Sequence, residues 1–140
     1  MSVYVVDASV ALKWYVPEIH SEDALRVLEP GNQLHVPDLL HAEAGNILWK
    51  KSRRGELSTG EARRIARALL VAPLAAHASA TLLEGALDIA TLTDRTVYDA
   101  MYVALAVALG GPLVTADRRL ANALEGTAFG RHVVWVEDLP

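Results

Sequence analysis

The sequence predicts an α/β fold, a three-layer α/β/α sandwich around a central, mostly parallel sheet, with residues 1–140 forming a single domain. Three observations predict it. The strand signals are short continuous apolar runs, such as Val3-Tyr4-Val5-Val6 and Leu113-Val114-Thr115, the pattern of strands covered on both faces. Segments with helical spacing of apolar residues separate them, and such β-α alternation builds a parallel sheet. The chain also lacks repeats, low-complexity segments and linkers, and 140 residues suffice to bury one core without disulfide or metal support. In open sheets of this kind ligands sit beyond the carboxyl ends of the strands, so residues there carry the functional question.

Each element has a local reason. Val3–Val6 is β-branched and aromatic, and Asp7 ends it. Residues 8–16 begin a helix that Pro17 terminates, since proline has no amide to donate. Ser21 caps a helix to about Leu28, which Pro30-Gly31 breaks. Leu34-His35-Val36 is a second strand, and Pro37 suits the first turn of the helix after it. From Asp38 to about Arg53, Leu39, Leu40, Ala44, Ile47 and Leu48 repeat at helical spacing, with Gly55 as the cap. Ser58 and Glu61 make a capping box for a helix through Leu70. A weak strand near Leu74 to His77 follows Pro73, then a helix from Ser79 to about Thr91. Val97 to Leu109 is helical and apolar nearly all round, which places it between other elements. Gly110-Gly111-Pro112 stops it; Leu113–Thr115 is a strand, Asp117 to Leu124 a helix and His132 to Val136 the last strand.

Composition excludes several classes. With no cysteine there is no disulfide framework, no thiol nucleophile and no Cys-ligated zinc site, which suits a cytoplasmic protein. Hydrophobic residues are 52% of the chain, yet the apolar run from Ala100 stops at Gly110-Gly111, well short of the about 20 residues a spanning helix needs. No membrane role is expected. The opening residues lack a basic region and carry Asp7 inside the apolar run, unlike a signal peptide.

The formal net charge of −4 argues against a nucleic-acid partner, but its distribution does not. Lys50, Lys51, Arg53, Arg54, Arg63, Arg64 and Arg67 crowd one segment against only Glu56 and Glu61, leaving the rest of the chain strongly acidic. Separation of sign points to an anionic partner for one surface. Lys50, Lys51, Arg53 and Arg54, with Arg118 and Arg119, are the candidate phosphate contacts, although cations near a helix C-terminus are also favoured by its dipole.

Four carboxylates stand out. Asp7 and Asp117 each follow a strand and precede a helix, where an aspartate is also an ordinary N-cap; Ser9 and Thr115 stand two residues away. Glu43 projects from the apolar side of its helix, which is costly without a cation or several donors. Asp99 lies in the first turn of the most apolar helix, where Thr96 to Asp99 also reads as a cap. If the four converge, a hard divalent cation with oxygen ligands, Mg²⁺ or Mn²⁺, offsets their repulsion. Such an ion activates water and stabilises charge on a transferring phosphoryl group.

The segments V-V-D-A-S-V-A-L-K-W at 5–14, P-D-L-L-H-A-E-A-G-N-I-L at 37–48, V-Y-D-A-M-Y-V-A-L-A at 97–106 and L-V-T-A-D-R-R-L-A at 113–121 resemble the four acidic blocks of the PIN domain, in order and spacing. The chain most resembles the small VapC-type ribonuclease toxins of type II toxin–antitoxin systems. The resemblance implies a Rossmann-like sandwich, a homodimer, a VapB-type antitoxin, and Mg²⁺- or Mn²⁺-dependent cleavage of single-stranded RNA by metal-activated water. It assigns Asp7, Glu43, Asp99 and Asp117 to the catalytic, metal-binding set and Ser9 and Thr115 to the hydroxyls beside it. Arg118 and Arg119 stand where some PIN nucleases carry a further acid, so a second metal is left unassigned.

Other readings fit less well. A haloacid-dehalogenase-like phosphatase needs a D-x-D pair where this chain has Asp7-Ala8-Ser9, and a receiver domain needs a phosphoacceptor Asp at the end of a middle strand, where Pro37 stands. His41-Ala42-Glu43 matches half of a zinc deaminase site whose cysteines are absent. His20, His35, His77 and His132 are scattered without metal spacing. The alternative outside enzymology is a catalytically inactive PIN-fold module that binds protein or RNA, with Trp14, Tyr15 and Trp49 either in the core or at a dimer or antitoxin surface.

Overall fold

A computed structural model of the chain describes residues 2–140. Five parallel strands, β1 (Val3–Val6), β2 (Gln33–Pro37), β3 (Leu74–His77), β4 (Leu113–Thr115) and β5 (Val133–Trp135), form one sheet in the order β3-β2-β1-β4-β5. Seven helices connect them: α1 (Ala8–Ala11), α2 (Ser21–Leu25), α3 (Leu39–Arg53), α4 (Thr59–Leu70), α5 (Ser79–Thr93), α6 (Val97–Leu109) and α7 (Arg118–Leu124). Consecutive residues Val5 and Val6, and Leu113 and Val114, are all fully buried, so the central strands are covered on both faces, as continuous apolar runs require.

The order places a topological switch between β1 and β4, paired with Val5 opposite Leu113 and Val6 opposite Val114. Gly111 makes this pairing possible, because a Cβ there would lie 2.3 Å from the Val3 carbonyl oxygen. Gly110, at φ +68°, caps α6 and turns the chain into β4. Helix α6 lies under the sheet centre, with Ala100, Met101, Tyr102, Val103, Leu105 and Ala106 buried, in keeping with its nearly unbroken apolar sequence.

Local signals were realised unevenly. The Ser58–Glu61 capping box forms with both reciprocal bonds, and Gly55 follows α3 at φ +76°. The expected helix over 8–16 is instead one α turn to Ala11 followed by a 3₁₀ turn over Leu12–Trp14. Pro37 is the last residue of β2, and Asp38 turns the chain into α3. His20, at φ 66°, is the N-cap of α2 and Ser21 its first residue; the Ser21 hydroxyl accepts from the Glu18 amide rather than capping. Helix α5 runs to Thr93, and the last strand ends at Trp135, with Val136 opening a 3₁₀ turn. Among the described residues no helix is long and apolar enough to cross a membrane.

Candidate active site

The carboxyl ends of β1 and β4 meet the first turns of α3 and α6 at a small cleft of about 120 Å³. Asp7, Glu43, Asp99 and Asp117 all line it, together with Ser9, Ile47 and Tyr102. The four acids chosen from the sequence therefore share one cavity, although they come from positions as far apart as 7 and 117.

Asp7 is the most constrained. It is 6% exposed, and both carboxylate oxygens are occupied. Oδ1 accepts from the Ser9 hydroxyl at 2.5 Å and from the Val10 amide at 3.1 Å; Oδ2 accepts from the Thr115 hydroxyl at 2.5 Å. Asp7 is thus the N-cap of α1 and a cleft residue at once, so the two readings of it do not compete. The hydroxyls also tie β1 to β4: Ser9 Oγ accepts from the Ala116 amide and Thr115 Oγ1 from the Asp117 amide, each at 3.0 Å. Burial pushes the Asp7 carboxyl up to about 6; the bonds from Ser9, Thr115 and Val10 pull against it, and the Asp117 charge adds to the rise.

Asp117 is likewise an N-cap, of α7, with Oδ1 accepting from the Arg119 and Leu120 amides at 3.0 and 3.4 Å. Glu43 meets no cation; its Oε1 accepts from the Tyr102 hydroxyl at 2.5 Å. Burial raises its carboxyl above the ordinary range, the Tyr102 bond lowers it, and Asp7 and Asp99 raise it further. Burial and the neighbouring Glu43 charge push the Tyr102 phenol well up, so it stays a hydroxyl donor. Asp99 has its amide capped by Thr96 Oγ1 at 3.1 Å, and its Oδ2 accepts from Arg95 Nη2 at 3.0 Å.

Tyr102 and Arg95 are the two site residues that the sequence reading missed. Tyr102 follows Asp99 by three positions on α6, a spacing that puts both on one helix face. Arg95 precedes Asp99 by four, on the side toward the helix start, whereas only the apolar stretch after Asp99 drew attention.

The donor set is all oxygen, from carboxylates, and no histidine lines the cleft, which fits a hard divalent cation better than a soft or imidazole-bound one. Among the described residues, the one group of three or more acidic or histidine side chains with ligand atoms within 4.8 Å of each other lies elsewhere, at His20, Asp23 and Glu137. There the imidazole already faces both carboxylates, at 3.5 and 3.6 Å. The cleft carboxylates stand more openly spaced. His35 and His77, expected to be isolated, come together across β2 and β3, with Nδ1 and Nε2 2.9 Å apart.

The basic candidates divide. Lys50, Arg53 and Arg54 line an open pocket of about 320 Å³ with Trp49, which is 51% exposed and carries the Arg53 guanidinium 5.1 Å over its ring. Lys51 instead turns to Glu18, at 3.3 Å, beside Lys13 at 3.1 Å. Arg118 and Arg119 are exposed, but Arg118 stacks 3.7 Å over Trp135, beside a pocket of about 410 Å³ that includes Asn122, Thr127 and Arg131. Trp14 and Tyr15 are half-buried, donating to the Ala24 and Ala68 carbonyls at 2.9 and 3.5 Å.

Comparison with known proteins agrees with this geometry. The PIN domain model matches residues 4–125. Ribonuclease VapC3 of Pyrobaculum aerophilum is 44% identical over 120 residues, 84% of this chain and 92% of that protein. Ribonuclease VapC9 of Mycobacterium tuberculosis is 34% identical over 118 residues, 84% of this chain and 88% of that one. The crystal structure of PAE2754 from Pyrobaculum aerophilum matches with a TM-score of 0.71 at 29% identity, over 97% of this chain and 85% of its own. Four acids in one cleft at the switch of a parallel sheet, on a sequence of this likeness, lead to one assignment: the chain belongs to the PIN-domain family, among its VapC members.

Proposed function

We propose that the protein is a VapC-type endoribonuclease, the toxin of a toxin–antitoxin pair, which hydrolyses phosphodiester bonds of single-stranded RNA at the acidic cleft. One observation carries the reading: four carboxylates drawn from both ends of the chain line one cleft, in a sequence 44% identical to a named ribonuclease. Asp7, Glu43, Asp99 and Asp117 would hold Mg²⁺ or Mn²⁺. When bound, such an ion supplies water activation and neutralises charge on the phosphoryl oxygens.

The remaining work belongs to the chain's own side chains. Asp7 cannot rotate, because Ser9 and Thr115 each fix one of its oxygens. Tyr102 holds one oxygen of Glu43. The α7 amides do the same for Asp117. An array so held needs little reorganisation as charge develops on a reacting phosphate. On α3, Lys50 lies seven residues beyond Glu43, which puts it within about 20° of its direction and about 10 Å along the axis, and Arg54 caps the far end of the helix. They would hold backbone phosphates to one side of the reacting one, with Arg53, Arg118 and Arg119 at the margins. Lys51, held by Glu18, is withdrawn from that role.

The reading extends to partners. A second copy of the chain and a VapB-type antitoxin would cover exposed apolar side chains such as Leu83 and Leu87, one turn apart on α5, and Leu70 and Val71 at the end of α4. A cytoplasmic setting suits an RNA substrate and a chain without cysteine.

The test is cleavage of single-stranded RNA with Mg²⁺, with Mn²⁺ and with EDTA, comparing the wild type with equally folded Asp7→Asn and Asp99→Asn. Cleavage should need the ion, and each variant should lose more than about 100-fold, beyond what loss of a supporting group around a metal costs. Cleavage in EDTA, or full activity in either variant, would overturn the proposal.

A further inference from the structure

Among the described residues, ion pairs formed by Lys and Arg mostly involve carboxylates outside the cleft: Lys13 and Lys51 with Glu18, Arg54 with Glu56. Arg95 is different. Its guanidinium donates to Asp99 Oδ2 at 3.0 Å, and the two side chains are only 27% and 25% exposed. The backbone arranges this. Asp94, at φ 56°, ends α5 in the left-handed region and turns the chain, so that Arg95 immediately precedes Thr96, the N-cap of α6. From there the arginine side chain folds over the first helical turn onto the residue four positions on.

The pair is also incomplete. Arginine commonly grips a carboxylate with two parallel bonds, but here one arm makes a single bond and the buried Nε has no acceptor. Thr96 accepts from the Asp99 backbone amide and so fixes its backbone, while Arg95 is the group that touches its carboxylate. Arg95 therefore neutralises Asp99 through one replaceable bond.

We infer that Arg95 is the built-in counter-ion of the cleft, and that a divalent cation arriving there competes with Arg95 for the charge of Asp99. The inference rests on the cleft being a divalent-cation site. Loading is then a cation exchange: one Nη2–H···Oδ2 bond opens as the ion arrives, and no covalent bond changes. The released guanidinium, with Nη2 and Nε both lacking acceptors, is left beside the cleft, where RNA phosphate oxygens can satisfy it. Arg95 would thus set metal affinity low until substrate is present.

The sign of one measurement separates this from an orienting role. Mn²⁺ binding without RNA is followed by the electron paramagnetic resonance of the free ion for wild type, Arg95→Gln, Arg95→Lys, Asp99→Asn and, as a charge control, Arg67→Gln on the exposed side of α4, each checked by thermal melting in EDTA. Arg95→Gln should bind Mn²⁺ about three- to tenfold tighter, Arg95→Lys should fall between it and wild type, and Arg67→Gln should change affinity less than about twofold. Unchanged or weaker binding by Arg95→Gln, or equal tightening by Arg67→Gln, would overturn the inference while Asp99→Asn still weakens binding. If the wild type binds no Mn²⁺, the metal reading falls and this inference with it.

Discussion

The acidic cleft and the basic end of α3 carry opposite charge and are held in opposite ways. Both oxygens of the Asp7 carboxylate are held, one by Ser9 and Val10 of α1 and the other by Thr115 of β4. At the far end of α3, Lys50, Arg53 and Arg54 are exposed, and among the described residues the contacts that restrain them are the Arg53 guanidinium over Trp49 and an Arg54–Glu56 pair at 3.9 Å. A phosphate backbone can be met by mobile charges, because attraction to it is long-ranged and non-directional. Placing a small cation or a reacting phosphorus requires fixed donors. The contrast suggests that binding and chemistry are divided between the two regions.

That division can be broken at three places. The largest effect belongs to Asp7. Its carboxyl is raised from an ordinary 3.8 to about 6 in the folded protein. The folded state therefore holds the proton more tightly, and the stability this contributes is present below pH 3.8 and lost as pH rises through 6, on the order of 2–3 kcal/mol. Urea denaturation in EDTA should find Asp7→Asn more stable than wild type by on the order of 2 kcal/mol at neutral pH, with the difference shrinking toward pH 4. A less stable variant at neutral pH would show that the three hydrogen bonds to the carboxylate outweigh its burial.

A smaller effect is expected on α3. Replacing Lys50 and Arg54 by Ala, in an Asp99→Asn background that prevents cleavage, should weaken RNA binding by about tenfold and reduce the salt dependence by about two ions. Melting temperature should not move. An unchanged salt slope would remove these residues from the RNA path. The smallest effect separates Lys51 from its neighbours: Lys51→Ala should change RNA affinity less than about twofold and cost about 0.5 kcal/mol of stability through the lost Glu18 pair. A loss of affinity equal to that of Lys50→Ala would return Lys51 to the RNA-facing set.

The parts of this molecule that were legible in sequence are those written locally. Ser58 and Glu61, three residues apart, specify their capping box, and Gly110-Gly111-Pro112 marks the end of α6. The acids at strand ends were legible because topology sends strand ends to one edge. Ser9, two residues from Asp7, was legible as its partner, but partners remote in sequence were not. Tyr102 reaches Glu43 across 59 positions, and His35 meets His77 across 42, distances over which spacing carries no signal. The short helix after Asp7 was overextended because Pro17 shows where a helix must have ended, and not where α geometry gives way to a 3₁₀ turn at Leu12.

One hydrogen bond bears on the life of the chain during synthesis. Thr115 reaches Asp7 across 108 positions, and Ser9 reaches Ala116 across 107. Asp7, made before the other three acids of the cleft, thus stays unclamped until β4 has followed it. Contacts this remote in sequence form late, after the loop-closure entropy has been overcome. A nascent or truncated chain ending before Thr115 lacks the clamp and also Asp117. Whatever harm a finished nuclease does to RNA, its unfinished copies are spared the means to do it to the message being read.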